Sequence, residues 1–459
     1  MKSGWALTPE SRQARAEPYG RFGFAFGNRA FLLAAVGFVW LGPAFLNPRF
    51  AFAILVWDVL LVIAVLVDLC RLPHPQQLTI TRRWSEPVAL SVAARVDLLI
   101  QNNGSVRVLA DVFDEIPSEL REELPHVELT APSGGQGTAG YSITPVTRGD
   151  AGVGDVYLHY QSSWRLAERW ARARVGQTVR IYPNLDETRQ QAVHLARSRQ
   201  IEMQQRRTRM RGVGREFESL REYREGDDFR NICWSATARR GKLVSRLYQA
   251  ERSQSIWVVI DCGRLMQARI RGLAKLDYAV NTALCLAQVA LHGGDRVGLL
   301  AYGRTPSQRL LPQRGSAQLR QIMEQLVDLQ TDALEADHLR AVAALRNSQK
   351  RRSLVIWLTD LAETAMTPEV IDAALQLTPQ HLLLFTVIGQ PDLLEIARRD
   401  PYDAEAMYAA SAAQEILHRR QILLARMRDR GALLVEVDAA ATSAAVVNSY
   451  LDIKQQGRL

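Results

Sequence analysis

The chain is 459 residues long, enough for two or three domains at roughly 100–200 residues each. With 47% hydrophobic and 23% charged residues it is neither a disordered nor a fibrous sequence. The formal net charge is +9, and the four cysteines, Cys70, Cys233, Cys262 and Cys285, form no CxxC pair, which excludes a disulfide framework or a zinc ribbon and suits a reducing compartment.

Residues 1–29 read as an N-terminal tail. Residues 30–46 and 50–67 are apolar runs separated by Asn47-Pro48-Arg49, each close to the shortest helix that spans a bilayer. A transmembrane helical hairpin over residues 30–69 is therefore expected. Arg12, Arg15, Arg21 and Arg29 precede it, Arg71, Arg82 and Arg83 follow it, and its turn holds Arg49 alone. The positive-inside rule then puts both termini and the globular domains on the cytoplasmic side of an inner membrane. Asp58 interrupts the second run, where a carboxylate costs about 2.5–3.5 kcal/mol on insertion scales. It reads either as a polar contact between helices or subunits, or as a protonated or water-exposed carboxyl on a tilted helix.

Residues 77–183 carry short strand-like runs at 89–94, 95–101, 106–113, 140–145, 153–160 and 171–182, with Asn102-Asn103-Gly104 as a turn between strands. Regular spacing of this kind predicts a small β-sandwich. No catalytic constellation falls in it.

Residues 184–254 form a basic connector. Between Arg197 and Arg252 there are fifteen Lys/Arg against eight Asp/Glu. Because the acids are interleaved with the bases, specific ion pairs are expected rather than nucleic-acid binding. Residues 184–210 read as a helix or arm, broken by Gly212-Val213-Gly214. No GK[ST] follows these glycines, so they are a joint rather than a phosphate loop. The stretch 211–240 adds large aromatics, Phe217, Tyr223, Phe229 and Trp234, with Tyr248 just beyond. A solvated linker has no use for them. Gly226-Asp227-Asp228 has turn composition, its carboxylates are available to Arg221, Arg224, Arg230 or Arg239, and Trp234 and Tyr223 are placed to clamp such a cluster. The segment reads as an internal clasp between the two flanking domains or as a docking surface for another protein, where Arg and aromatics are favoured.

From residue 255 to 459 apolar strands alternate with helices: strands at 256–261, 295–302, 353–360, 381–388 and 432–437, and helices at 275–292, 316–329, 337–350, 404–430 and 440–454. This predicts an α/β doubly wound domain with a mostly parallel sheet covered on both faces. Asp261 and Asp360 end two of the core strands, where such sheets open onto their ligand crevice. Paired there, the carboxylates suit a hard divalent cation. Taken singly, they suit helix N-caps, since each ends a strand and precedes a loop or helix. Cys262 follows the first of these strands, where a nucleophile would sit, but no histidine is adjacent in sequence.

The segment 214–240 is very similar to the signature of the bacterial "domain of unknown function 58" family. The matching residues are Glu216-Phe217, Leu220-Arg221, Tyr223, Gly226-Asp227-Asp228, Arg230, Ile232, Trp234 and Ala236-Thr237-Ala238-Arg239. Leu276-Asp277-Tyr278-Ala279 and the run 294–299 resemble that family's helix and second strand. The α/β half resembles a von Willebrand factor type A domain, and the order of hairpin, β module and A-type domain is similar to the family's layout. The resemblance implies a membrane-anchored, non-enzymatic scaffold or adaptor that works with a MoxR-type AAA+ ATPase in assembling or remodelling protein complexes. The chain itself has no Walker motif, so ATP hydrolysis would be the partner's. Against the A-type pattern, Asp261 and Asp360 match the two aspartates, but Gly263 and Leu265 stand in place of the serines and Ala336 in place of the threonine. The resemblance therefore implies no cofactor and a degenerate metal site at which Mg²⁺ is the candidate ion, weakly held or lost. The alternative expectation is a hydrolytic enzyme or a ligand sensor using the Asp261/Asp360 crevice.

Overall fold

The computed structural model describes residues 8–20, 23–41, 49–121, 123–184, 216–223, 229, 232–249, 254–361 and 369–458. It divides into two units, residues 1–184 and 185–459. The helix or arm expected at 184–210 lies outside the described residues, apart from Asn184.

The first unit begins with strands β1 (Arg12–Pro18) and β2 (Phe24–Phe26), in the stretch that reads as a tail from sequence. Helices α1 (Asn28–Gly37, prolonged by a 3-10 turn at Phe38–Trp40) and α2 (Arg49–Arg71) follow. Then come β3 (Leu78–Trp84), β4 (Ala94–Asn102), β5 (Val108–Asp114), β6 (His126–Ala131), β7 (Gln136–Ile143), β8 (Gly149–Val153), β9 (Val156–Gln161), β10 (Ala167–Ala173) and β11 (Gln177–Ile181). Nine of these strands form one antiparallel sheet in the order β6-β5-β9-β10-β1-β3-β4-β7, with β2 added on β10, while β8 and β11 pair separately. Strand β1 joins the two halves of the sheet: Arg12 to Arg15 pair with β3, and Ala16 to Pro18 pair with β10. Alternation explains the core. Val96, Leu98 and Ile100 of β4 and Val108, Ala110 and Val112 of β5 point inward and are buried, while their neighbours are partly exposed. The turn Asn102-Asn103-Gly104 does not make a hairpin, because β4 pairs with β3 and β7. Instead the buried Asn102 amide donates to the carbonyls of Val106 and Pro132 and its oxygen accepts from the Gly104 N–H, tying the link between the two halves.

The helical pair is an insertion between β2 and β3. Among the described residues one helix is long and apolar enough to cross a membrane, and it lies in α2. Its 23 residues span about 34 Å. The helices touch where the Trp57 indole donates to the Leu33 carbonyl at 3.0 Å, and Gly37 leaves room for the Trp57 ring. Asp58 lies beside this contact: a Cβ on Gly37 would stand 3.7 Å from its Oδ1. Arg82, counted above among the flanking charges, is instead fully buried and ion-paired with Asp114. It is part of the core and does not act as a surface charge.

The second unit opens with β12 (Glu216–Glu222), α3 (Trp234–Arg240) and β13 (Val244–Gln249). Next are β14 (Ser255–Asp261), the small ladder β15 (Arg269–Ile270) and β16 (Leu273–Ala274), α4 (Lys275–His292), β17 (Arg296–Tyr302), β18 (Pro306–Gln313), α5 (Ser316–Val327) and α6 (His338–Ser348). The chain ends with β19 (Leu354–Thr359), α7 (Glu369–Leu375), β20 (Leu382–Gly389), α8 (Pro391–Arg398), α9 (Ala404–Asp429), β21 (Leu433–Asp438) and α10 (Thr442–Gln455). The six-stranded sheet runs β18-β17-β14-β19-β20-β21, parallel except for the antiparallel edge strand β18. Strand β19 is buried at every position, and its neighbours β14 and β20 at all but one, which requires cover on both faces. Trp257, Trp357 and Phe385 pack with α6, α7 and α9 on one side. Asp295 is fully buried and binds the last helix through the Tyr450 hydroxyl and the Lys454 ammonium.

Candidate functional site

Parallel pairing brings β14 and β19 side by side, so their carboxyl ends place Asp261 and Asp360 in one crevice. Both are buried. Neither aspartate caps a described helix, since the 3-10 turn after Asp261 starts at Gly263 without a side-chain cap; each instead bonds a backbone N–H of its own turn. Asp261 Oδ1 accepts from the Gly263 N–H at 2.8 Å and Oδ2 from the Thr359 hydroxyl at 2.6 Å. Asp360 Oδ1 accepts from the Leu361 N–H at 2.7 Å.

What sequence reasoning missed is Lys275, the first residue of α4. Its side chain is fully buried, and its ammonium donates to Asp360 Oδ2 at 2.5 Å and to Gln390 Oε1 at 3.1 Å. The cation of this crevice is thus covalently part of the chain. The only sequence signal was a lysine opening an otherwise apolar helix.

A divalent cation does not fit these residues. All four carboxylate oxygens already accept a hydrogen bond, and a fixed ammonium repels a second cation at this range. The neutral oxygens of the A-type pattern are missing for a steric reason as well. A Cβ at Gly263 would lie 2.9 Å from the Ala336 nitrogen and 3.0 Å from its Cβ, so the loops have closed onto the space a serine would need. Among the described residues, no group of three or more His, Cys, Asp and Glu side chains could hold a metal ion.

His338, at the start of α6, brings an imidazole to the same end of the sheet. Its Nδ1 is 3.0 Å from the Tyr302 hydroxyl, which accepts from the Trp357 indole at 2.9 Å. Because the indole only donates, the hydroxyl keeps its own proton available to Nδ1, and in that arrangement the imidazole proton is on Nε2. Burial holds His338 below the usual histidine range, against the pull of the Asp261 charge. Burial holds Asp261 above the usual carboxylate range, opposed by His338 and by the bonds from Thr359 and Gly263. Cys262 is buried, with its sulfur 3.9 Å from the Ile260 carbonyl.

The signature segment closes on itself. Strands β12 and β13 pair antiparallel from Glu216↔Gln249 to Glu222↔Val244, with α3 between them in sequence. Thr237 accepts from the Val244 N–H at 3.0 Å, the Cys233 N–H donates to the Val244 carbonyl, and Gly241 ends the helix in the left-handed conformation. Tyr223 stacks near Phe229, with centroids 5.6 Å apart. Trp234 is not part of that clamp: it is 67% exposed, and Phe229 is 73% exposed. Leu220 and Leu243 are exposed nearby in sequence on β12 and before β13. Arg239 is exposed on α3, while Glu216, Phe217 and Arg221 lie on β12. Gly226, Asp227, Asp228 and Arg230, the expected turn and its ion pairs, lie outside the described residues.

Comparisons with known proteins agree with the sequence signature. Uncharacterized proteins of Mycobacterium tuberculosis and Mycobacterium bovis are each 28% identical to this chain over 152 residues, covering 32% of it and 48% of the relative. The chain therefore spans about half the length of the curated relatives it matches. The crystal structure of conserved hypothetical protein BatB from Bacteroides thetaiotaomicron is similar at 14% identity and a TM-score of 0.30, covering 44% of this chain and 100% of that one. Residues 219–392 match the family model described as "Protein of unknown function DUF58".

Proposed function

We propose that this chain is a membrane-anchored, non-enzymatic scaffold or adaptor whose β12–α3–β13 element docks a partner protein. The observation that carries the reading is the exposure of Phe229 and Trp234 beside the paired β12–β13 ladder. Large aromatics left in water on such an element are the usual anchors of an interface. By resemblance, the partner is a MoxR-type AAA+ ATPase, the clients are protein complexes under assembly or remodelling, and the second unit is a von Willebrand A-type domain. Two aspartates at the ends of adjacent parallel strands, in a sheet with one antiparallel edge strand, support the A-type reading.

Support for the membrane anchor comes from α2 and from topology. Strands before and after the helical pair belong to one sheet, so the pair enters and leaves a bilayer on the same side, as a hairpin does. With Arg82 removed from the count, Arg12, Arg15, Arg29, Arg71 and Arg83 still favour the cytoplasmic side, and the four free cysteines suit it. A hydrolytic or sensing role for the crevice is not favoured, since Asp261, Asp360 and Cys262 are all at most 3% exposed.

The test is co-purification from membranes in the presence of ATP. The wild-type chain is expected to retain a MoxR-type ATPase, and F229A/W234A to lose it without a change in melting temperature. Failure of the wild-type chain to retain one under ATP would sink the reading.

A further inference from the structure

One end of the helical pair is built differently from the rest. Helix α1 starts and α2 ends against β2 and β10, and the junction is rigid. The buried Asp68 near the end of α2 accepts from the Ser162 hydroxyl at 2.5 Å and from the N–H groups of Leu166 and Ala167, both at 3.0 Å. Arg169 of β10 donates to the Leu69 carbonyl at 3.0 Å, satisfying one of the open carbonyls at the helix end. The helix axis is therefore fixed to the β module with no hinge between them.

Around this junction stand aromatic side chains that the first unit leaves uncovered. Phe24 and Phe26 project from β2, in register with Arg169 and Ala167 of β10. Phe26 meets Phe31 of α1 edge to face at 6.3 Å. Trp164 sits in the turn that Asp68 pins, with the Arg71 guanidinium 5.0 Å above its ring. Arg29, Arg71 and Arg165 are exposed in the same collar. Aromatic rings interleaved with guanidinium groups at the end of an apolar helix match the chemistry of the lipid headgroup layer, where rings are half-wet and cations meet phosphates.

We propose that this collar is seated in the headgroup layer of an anionic bilayer, so that the β module lies on the membrane surface. The inference rests on the membrane-anchored reading and adds a second lipid contact, made by the β module itself. Continuity with α2 and the cationic rim select lipid over a second copy of the chain or another protein. The Asp68 lock makes the seating specific, because the module cannot swing away from the helix that carries it.

The experiment uses the full chain reconstituted in vesicles of phosphatidylcholine and phosphatidylglycerol, with a benzoylphenylalanine photoprobe at one position at a time. Phe52, exposed on α2, reports the helix. Phe26 and Trp164 report the collar. Phe113, exposed on β5 in register with Tyr157 and four residues along β9 from Gln161, is the control away from it. Probes at Phe52, Phe26 and Trp164 are expected to label lipid, and the probe at Phe113 is not. Labelling of lipid from Phe52 but not from Phe26 or Trp164, or labelling of protein from the collar, overturns the proposal and leaves the anchor standing. Absence of lipid labelling from Phe52 overturns both. R71Q/R165Q is expected to lower the preference for phosphatidylglycerol by about fivefold per guanidinium, and an unchanged preference would overturn the anionic-headgroup assignment.

Discussion

Among the described residues each unit buries one ion pair with both side chains fully enclosed, and the two are built to different ends. In the β module, Arg82 reaches Asp114 through Nε at 3.0 Å and through Nη2, while Nη1 donates to the Val175 carbonyl and Nη2 to that of Gly154. Tyr141 completes the carboxylate at 2.6 Å. The planar guanidinium thus ties β3, β5 and two connections together. In the α/β unit, Lys275 is a point charge whose ammonium donates to two side chains, Asp360 and Gln390. It neutralises one carboxylate at the open end of the sheet. The first pair is a structural cross-beam, whereas the second is a local substitute for a cation.

Removing one partner of either pair exposes the comparison most directly. R82L and K275M should each cost about 3–5 kcal/mol in urea unfolding, because each leaves a buried carboxylate alone. The second substitution should separate them. K275M/D360N keeps an acceptor for the Leu361 N–H and should recover most of the loss. R82L/D114N keeps one for Tyr141 but leaves the Val175 and Gly154 carbonyls without their donor, at about 1–3 kcal/mol each, and should recover little. Equal recovery in the two doubles would break the distinction.

A smaller effect tests whether the crevice has truly closed. G263S places a serine where the A-type pattern has one, and crowding against Ala336 should destabilise the unit by about 1–3 kcal/mol without creating Mg²⁺ binding in calorimetry. Micromolar Mg²⁺ binding by this variant would show that the ammonium does not exclude a metal.

The smallest effect concerns pH. His338 and His381 are both held below the usual histidine range, chiefly by burial. The unfolded chain therefore binds more protons just below neutrality, and stability should fall as pH drops through the ordinary histidine pKa toward the lowered folded one. Asp261, held high, gives the opposite slope at lower pH: stability falls as pH rises from its ordinary value toward its raised one. H338Q should flatten the near-neutral slope of melting temperature against pH without abolishing it, because His381 remains. An unaltered slope would place His338 outside the linkage.

What could be read from sequence follows the physics of each element. Strands β14, β19 and β20 announce themselves because burial on both faces demands unbroken apolar runs. Helix α2 is legible for a different reason, a long apolar run that stays mostly exposed. Strand β1 is not, because in RQARAEP only Ala16 is fully buried, and a single inward alanine leaves no period to detect. Arg82 reads as a surface cation because nothing local announces a partner 32 residues away. The aspartates of the crevice are visible as strand ends, but Lys275 is 85 residues from Asp360, and only the fold brings them together.

The insertion of the helical pair between β2 and β3 also dictates an order of events during synthesis. Ala16 pairs with Ala173, so the first strand leaves the ribosome long before its neighbour exists. Both helices emerge while β1 and β2 are still unpaired edges. The β module closes only once β10 has been made, so β1 and β2 keep open edges until a late step of folding.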